Sequence, residues 1–247
     1  MNNILKQYNL QYFYKDLQEL RITLFDRQVE QFITYYEMLV EKNQVMNLTA
    51  ITDFDEVLKK HFVDSLSLVK AYDFNQTETE ISLIDIGTGA GFPGLPLKIA
   101  FPNLSVTLMD SLNKRVDFLN EVIYALQLNG IEAIHGRAED YAKPDKLREK
   151  YDLCVSRAVA NLSTLSEYCL PYVKVGGKFI SYKSEKSAEE IGGAENAIDL
   201  LGGKIHEQIT FMLPDSDIYR NLVVIEKINE TPQKYPRKSG MASKKPL

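Results

Sequence analysis

The apolar positions of this chain follow one period before about residue 80 and a different alternation after it. In DRQVEQFITYYEMLVEK, Val29, Phe32, Ile33, Tyr36 and Val40 recur at helical spacing, with Asp26 placed to cap the helix. NQVMNLTAI interrupts. A second helix is expected over TDFDEVLKKHFVDSLSLVKAY, with Phe54, Leu58, Phe62, Ser65 and Val69 on one face and Thr52 and Asp55 at capping-box spacing. DFNQTETE then breaks the pattern. Beyond it, short apolar runs alternate with amphipathic ones. ISLIDIG, LSVTLMD, IEAIHG, YDLCVS and GKFISYKS read as strands. PGLPLKIAF reads as a helix with prolines in its opening turn, and SLNKRVDFLNEVIYALQL as a helix aligning Leu112, Val116, Leu119, Ile123 and Leu126. LSTLSEYCLPYV and AEEIGGAENAIDLL are further helices.

Alternating strands and helices imply an α/β fold, a parallel sheet covered on both faces. The last two strands, KIHEQITFML and YRNLVVIEK, are separated only by the turn PDSD, so they must be antiparallel. About seven strands are expected, six parallel or nearly so and one reversed at the end. The organisation follows: a helical cap over residues 1–75, a core over 76–230 and a tail over 231–247, forming one compact unit.

LIDIGTGAGFPGLPLKIAFP, which bridges the first strand and its helix, is where chemistry enters. Read from Gly89, GAGFPG fits the G-x-G-x-x-G loop of a dinucleotide site. Read from Asp85, DIGTGAG fits the acidic-x-G-x-G-x-G loop of an S-adenosyl-L-methionine (SAM) methyltransferase. Either way Gly87, Gly89, Gly91 and Gly94 lie beyond the carboxyl end of a strand, where open sheets bind ligands. Asp110 ends the second strand, where a carboxylate accepts both hydroxyls of an adenosine ribose; an acid that caps the next helix is the alternative. Three features favour SAM. A buried Asp85 would repel a pyrophosphate but suits the ammonium of a methionine moiety, directly or through water. The terminal antiparallel pair belongs to methyltransferase sheets. GRAED places Ala138 and Glu139 where an adenine edge would lie, though Glu139 also reads as a solvated helix start.

Composition removes some alternatives. At 247 residues, 45% apolar and 26% charged, the chain suits a soluble globular protein, and it has no apolar run long enough for a membrane helix and no signal-peptide core. A cytoplasmic location follows. Cys154 and Cys169 sit in apolar segments and read as reduced core residues. His61, His135 and His206 are scattered, so no metal site is expected. Net charge is −5, yet Lys234, Arg237, Lys238, Lys244 and Lys245 against Glu230 make the end of the chain +4. Such an end is a solvated, disordered tail or a phosphate-binding arm. Lys59, Lys60, Arg157, Lys183, Lys186 and the tail are expected to form one basic rim.

With these residues in view, the chain resembles the family of ribosomal RNA small-subunit methyltransferase G, also called glucose-inhibited division protein B. MNLTAI, HFVDSL, the glycine loop, DSLNKRVDFL, RAED, VSRAVA and YPRKSGMASKKPL carry the resemblance, from about Asp26 to Leu247. It implies a class I, Rossmann-like SAM methyltransferase that modifies N7 of a guanine in 16S ribosomal RNA, position 527 in the usual RNA numbering. It also implies that Asp85, Gly87, Gly89, Gly91, Phe92, Asp110, Ala138, Glu139 and Arg157 hold the cofactor, with Arg157, Lys183 and His61 at the reacting end. The residues alone leave Arg157 open to a surface ion pair, His61 to a structural role, and Asn47 and Thr49 to loop capping. The partner is 16S ribosomal RNA or the small subunit, acted on by a monomer. Action on a small molecule or a protein, or a non-catalytic nucleotide-binding regulator, are the rivals.

Overall fold

The structure, a computed structural model, describes residues 7–74, 80–157, 160–184 and 188–247. In chain order the elements are α1 (Gln11–Glu19), α2 (Asp26–Met46), α3 (Phe54–Val57), a π-helical turn (Leu58–Val63), α4 (Asp64–Leu66) and a 3-10 turn (Ser67–Lys70). Then follow β1 (Ser82–Ile86), α5 (Gly94–Ala100), β2 (Ser105–Asp110), α6 (Asn113–Ala125), β3 (Ile131–His135), α7 (Ala138–Tyr141) and β4 (Tyr151–Arg157). The chain continues through α8 (Leu162–Cys169), β5 (Val173–Lys183), α9 (Ala188–Leu200), β6 (Gly203–Met212), β7 (Tyr219–Lys227) and α10 (Met241–Lys244).

One seven-stranded sheet runs in the order β3-β2-β1-β4-β5-β7-β6. All its neighbours pair in parallel except β7, which is antiparallel to both β5 and β6. The expected count and the one reversed strand are both present. The inner strands are largely apolar because successive side chains feed two different cores, whereas the edge strands β3 and β6 are more polar and exposed. Leu83, Val106, Leu108, Leu153, Val155, Ile180, Leu222 and Val224 face one core, and Ile84, Met109, Cys154, Phe179, Val223 and Ile225 the other.

The N-terminal helices cover the first face. Their buried stripe differs from the expected one: Val29, Phe32, Ile33, Tyr35 and Leu39 are buried, whereas Tyr36 and Val40 are only partly so. Tyr35 is buried because its ring stacks on Phe62 and Phe92 and its hydroxyl donates to the Ala90 carbonyl at 2.5 Å, inside the glycine loop. Helix α2 starts one residue earlier than a cap at Asp26 would place it: Phe25 is the cap residue, and Gln28 Oε1 accepts its N–H at 2.8 Å. At α3 the cap is Asp53, whose carboxylate accepts the Glu56 N–H at 3.0 Å, in place of the Thr52–Asp55 pair. The expected single helix after it widens into the π-helical turn, a form that recurs at functional sites. On α6, Leu112 is the exposed cap residue, and Val116, Phe118, Leu119 and Val122 form the buried stripe.

The tail also departs from expectation. Instead of a solvated arm, residues 231–247 lie against the second face, with Thr231, Tyr235 and Ala242 buried. Arg237 forks onto the buried Glu167 carboxylate at 2.9 and 2.6 Å.

The Tyr35 hydroxyl is a hydrogen-bond link between helical cap and glycine loop. Tyr35→Phe keeps the ring stack and leaves the buried Ala90 carbonyl unpaired, for an expected loss of about 1–3 kcal/mol in urea unfolding. A loss under about 0.5 kcal/mol would show that the bond contributes nothing net.

Candidate active site

The glycine loop owes its shape to two carboxylates beneath and beside it. Asp85 shares the face of β1 that carries Leu83, so its side chain points under the loop. It is fully buried, and Oδ2 accepts the Thr88 hydroxyl at 2.6 Å and the Gly94 N–H at 2.9 Å. Its Oδ1 is buried without a hydrogen-bond partner among the described residues. Burial pushes its pKa up to about 6, against the lowering effect of Thr88, the Gly94 N–H and Arg157. Gly94 permits this approach, since a Cβ there would lie 3.0 Å from Asp85 Oδ2 and 2.3 Å from Leu108 Cδ2. Asp110, at the end of β2, is pinned to the loop from the side. Its Oδ2 accepts the Gly89 N–H at 3.0 Å and lies 3.3 Å from Arg115, while Oδ1 accepts the Leu112 N–H at 2.9 Å. Asp110 lines the cavity above the loop and makes no cap bond to α6, whose cap residue is Leu112.

A cavity of about 670 Å³ opens above this loop, at the carboxyl end of the parallel strands. That is within the usual range for a small-molecule site. Gly87, Gly89, Phe92, Asp110, Ala138, Glu139, Arg157 and His61 line it. Asp85 and Gly91 do not: Asp85 lies below the loop, and the Cβ direction of Gly91 points at Leu95 and the Tyr35 hydroxyl. Gly89 does face the cavity. Its φ is +63°, and a Cβ there would meet no atom within 4 Å, so any side chain would take ligand space.

At one end of the cavity Arg157 is held on several sides. Its Nη1 donates to Asp64 Oδ2 at 3.0 Å and to the Lys60 carbonyl at 3.4 Å. Its Nη2 lies 3.3 Å from His61 Nδ1, and its guanidinium sits 5.1 Å over the Phe92 ring. His61 stacks on that ring at 4.6 Å and bonds Thr49 Oγ1 through Nε2 at 2.8 Å. A guanidinium only donates, so Nδ1 must accept and Nε2 must carry the proton of the neutral ring. Burial, with Arg157 adding to it, lowers the His61 pKa to about 4. Asp64 is almost fully buried and accepts from a second arginine: Arg220 Nε at 2.7 Å and Nη2 at 3.2 Å.

Arg157 is in an ion pair, but with a buried partner at the site and not a surface one. Thr49 is a ligand of His61 as well as a loop residue, its Oγ1 accepting the Ile51 N–H at 3.0 Å. Lys183 does not line the cavity; it pairs with Glu190 at 2.6 Å and donates to the Ala160 carbonyl at 3.1 Å. The expected basic rim is dispersed in the same way. Lys59 pairs with Asp16, Lys60 with Glu56, Arg157 with Asp64 and Arg237 with Glu167. Lys186 lies outside the described residues. Asp64, Arg220, Tyr168, Gly240 and Ser243 are the site-building residues that the sequence reading passed over. Asp64 carried a signal, an acid three residues after His61 and flanked by Phe62, Val63 and Leu66; Arg220 carried a weaker one, an arginine opening an apolar strand.

Both cysteines are fully buried, and burial raises the Cys154 thiol well above its ordinary range. Neither is placed to attack a ligand. Among the described residues no group of three or more histidines, cysteines and acids stands together as a metal site would require, and no helix is long and apolar enough to cross a membrane.

Comparison with known proteins agrees with this geometry. The family model for GidB, rRNA small subunit methyltransferase G, matches residues 28–222. A ribosomal RNA small subunit methyltransferase G from Lachnoclostridium phytofermentans is 56% identical over 235 residues, covering 95% of this chain and 96% of the relative. Among solved structures, M. jannaschii TYW2 in complex with AdoMet superposes with a TM-score of 0.51 at 18% identity, covering 67% of this chain and 77% of that one. A SAM-dependent methyltransferase from Aquifex aeolicus gives 0.51 at 17% identity, over 71% and 95% of the two chains. The structural likenesses show the fold, a class I methyltransferase sheet, and the sequence matches show the family: this chain belongs to the rRNA small subunit methyltransferase G family.

Proposed function

We infer that this protein transfers a methyl group from S-adenosyl-L-methionine to N7 of a guanine in 16S ribosomal RNA, the guanine that the family resemblance numbers 527. One observation carries the site assignment. A single cavity has a glycine loop and two carboxylates, Asp110 and Glu139, toward one end and a fixed arginine beside a neutral histidine at the other. The residues fit the cofactor. Gly89 leaves the space that a ligand needs, and the orphaned Asp85 Oδ1 is a negative group with an interaction still to make. Asp85 lies under the loop, so its support for the ammonium runs through the loop or a bridging water. Gly87 and Gly89 cradle the methionine half, Asp110 receives the ribose, and Ala138 and Glu139 flank the adenine.

Bound there, SAM supplies a methyl group on a sulfonium that is its own leaving group. Guanine N7 presents a lone pair and carries no proton, so this chain has only to align the base and exclude water. A general base is not required, which suits a His61 held neutral and both of whose nitrogens are already engaged. Arg157 has five N–H groups, and three engage Asp64, Lys60 and His61. The remaining donors suit O6 of the incoming guanine and leave N7 free. Phe92 and His61 give the flat platform beside it. Lys183, set back behind Glu190, acts at most on RNA bound farther out. The Cys154 and Cys169 burial argues against attack on a pyrimidine ring, which needs an accessible thiolate. We place the reaction in the cytoplasm, on RNA or an assembling subunit.

The direct test is tritiated SAM with small subunits, or their RNA, from a strain lacking this gene. Label should appear in 16S RNA at one guanine; label in metabolites or protein with none in RNA would refute the assignment. Arg157→Ala should lower kcat/KM by about 100-fold or more. The fold should survive, because Asp64 keeps Arg220. Unchanged turnover would remove Arg157 from the reacting end.

Two titrations follow. His61 has a folded pKa below its unfolded one, so its contribution to stability is complete above about pH 6.5 and lost as pH falls through about 4. Imidazole nitrogen shifts in NMR should show no His61 protonation from pH 8 to 5.5. A midpoint near 6.5 would contradict the buried, arginine-facing geometry. Asp85 is the opposite case. Its folded pKa of about 6 exceeds the unfolded value, so it costs stability as pH rises from about 4 through 6. Asp85→Asn should raise stability at pH 7.5 by about 1–3 kcal/mol while weakening SAM binding at least tenfold. Unaltered SAM affinity in calorimetry would show that the carboxylate serves the loop alone.

A further inference from the structure

The cavity wall beyond Asp110 is built from Ala138, Glu139 and Tyr168 together with Gly240 and Ser243, which lie about a hundred residues farther along the chain. We propose that the C-terminal segment is the outer wall of the adenine end of the cofactor site, with Gly240 and Ser243 facing the ring. The proposal rests on the reading of the cavity as a SAM site.

Four observations carry it. First, the carboxylate assigned to the adenine edge also holds the segment: Glu139 Oε1 accepts the Gly240 N–H at 2.9 Å. Asp140, the next residue, accepts the Ser239 hydroxyl at 3.1 Å. Second, the segment is anchored on both sides of that contact. Before it, Arg237 bonds Glu167 through its backbone N–H at 2.7 Å and through its guanidinium. Glu167 is nearly inaccessible in α8, and a buried carboxylate left without its cation is costly. Arg148 donates to the carbonyls of Thr231 and Tyr235. After it, Thr164 Oγ1 donates to the Ala242 carbonyl at 3.2 Å and Ser163 Oγ to the Leu247 carbonyl at 3.0 Å. Third, the anchors fix the register of the stretch between them, so Gly240 and Ser243 are set at the cavity and not left to drift along it. Fourth, that stretch is small and flat. Gly240, at φ +81° with nothing within 4 Å of a Cβ, turns the backbone into α10 without adding bulk, and Ala242 packs inward. Backbone and one small side chain, that of Ser243, suit the edge of a planar purine.

The wall and the ligand must then be coupled. A cofactor that touches the segment holds it down, and a loosened segment binds the cofactor less well, by the same factor. Ser243→Trp tests contact. Ser243 is exposed at the cavity rim, so the variant should melt as the native protein does, while SAM and S-adenosylhomocysteine, which share the adenosine half, should each bind at least tenfold more weakly in calorimetry. Arg237→Ala tests anchorage and should weaken both ligands by a similar factor. In the native protein, saturating SAM should slow tryptic cleavage at Arg237, Lys238 and Lys244 at least threefold. If both variants bind SAM with native affinity, and SAM leaves the cleavage rate unchanged, the segment is no part of the site and the proposal fails while the SAM assignment stands. If the native protein binds no SAM, the assignment fails and takes the proposal with it.

Discussion

A buried carboxylate shared by two arginines organises one end of the cavity. Asp64 is almost wholly inaccessible, and Arg157 and Arg220 both pair with it there. The three residues come from three separate parts of the chain: the helical cap, the end of β4 and the start of β7. Charges out of water must be paired closely or not at all, so these parts have little freedom to shift against one another. The reversed strand is what makes the arrangement accessible. A parallel β7 would present its last residue at the cavity edge. An antiparallel one presents its first, and Arg220 lies there, on the same sheet face as Arg157. The Tyr182 hydroxyl, donating to the Ser65 carbonyl at 2.7 Å, ties the same helix to β5 between them.

The sheet was legible in the sequence because burial on both faces leaves little choice of residue. Runs such as ISLIDIG and YDLCVS are apolar at most positions because both faces feed a core, and turn chemistry separates them. The glycine loop was legible for a related reason: glycine stands where no side chain is tolerated, as at Gly94 against Leu108. What stayed hidden were pairings. A lysine shows its charge in a sequence but not its partner. Lys59 meets Asp16, Lys15 meets Asp215, and Arg237 meets Glu167, each far away along the chain. The basic rim dissolved for this reason, and the tail turned out to be docked because its charge is matched by a buried acid in α8. The π-helical turn was hidden too. It carries ordinary helical residues, and its sequence has no feature that marks the wider turn.

The two registers of the glycine loop are separated by what lies around it. GAGFPG begins at Gly89 and leaves out Gly87, yet Gly87 has φ +72° and its N–H bonds the Met109 carbonyl at 2.9 Å, tying the loop to the end of β2. The acidic register includes both Asp85 and Gly87. It also explains why an acid is tolerated at the end of a central strand. Thr88 and Gly94 offer two donors to one oxygen, while the other oxygen remains uncompensated. A pyrophosphate above the loop would add negative charge to that imbalance, and a methionine ammonium would relieve it.

The placement of charge around the cavity then bears on the direction of transfer. The carboxylates Asp85, Asp110 and Glu139 lie below the loop and toward one end, where a cationic cofactor gains most by binding. At the other end stands Arg157, and the imidazole beside it, His61, is kept neutral. A second cation there would oppose the sulfonium and compete with Arg157 for the electron-rich edge of a guanine. Keeping His61 unprotonated removes that conflict while its ring still packs on Phe92 and orients the guanidinium. The same arginine that lowers the histidine's pKa is therefore the one whose free donors that histidine helps to aim.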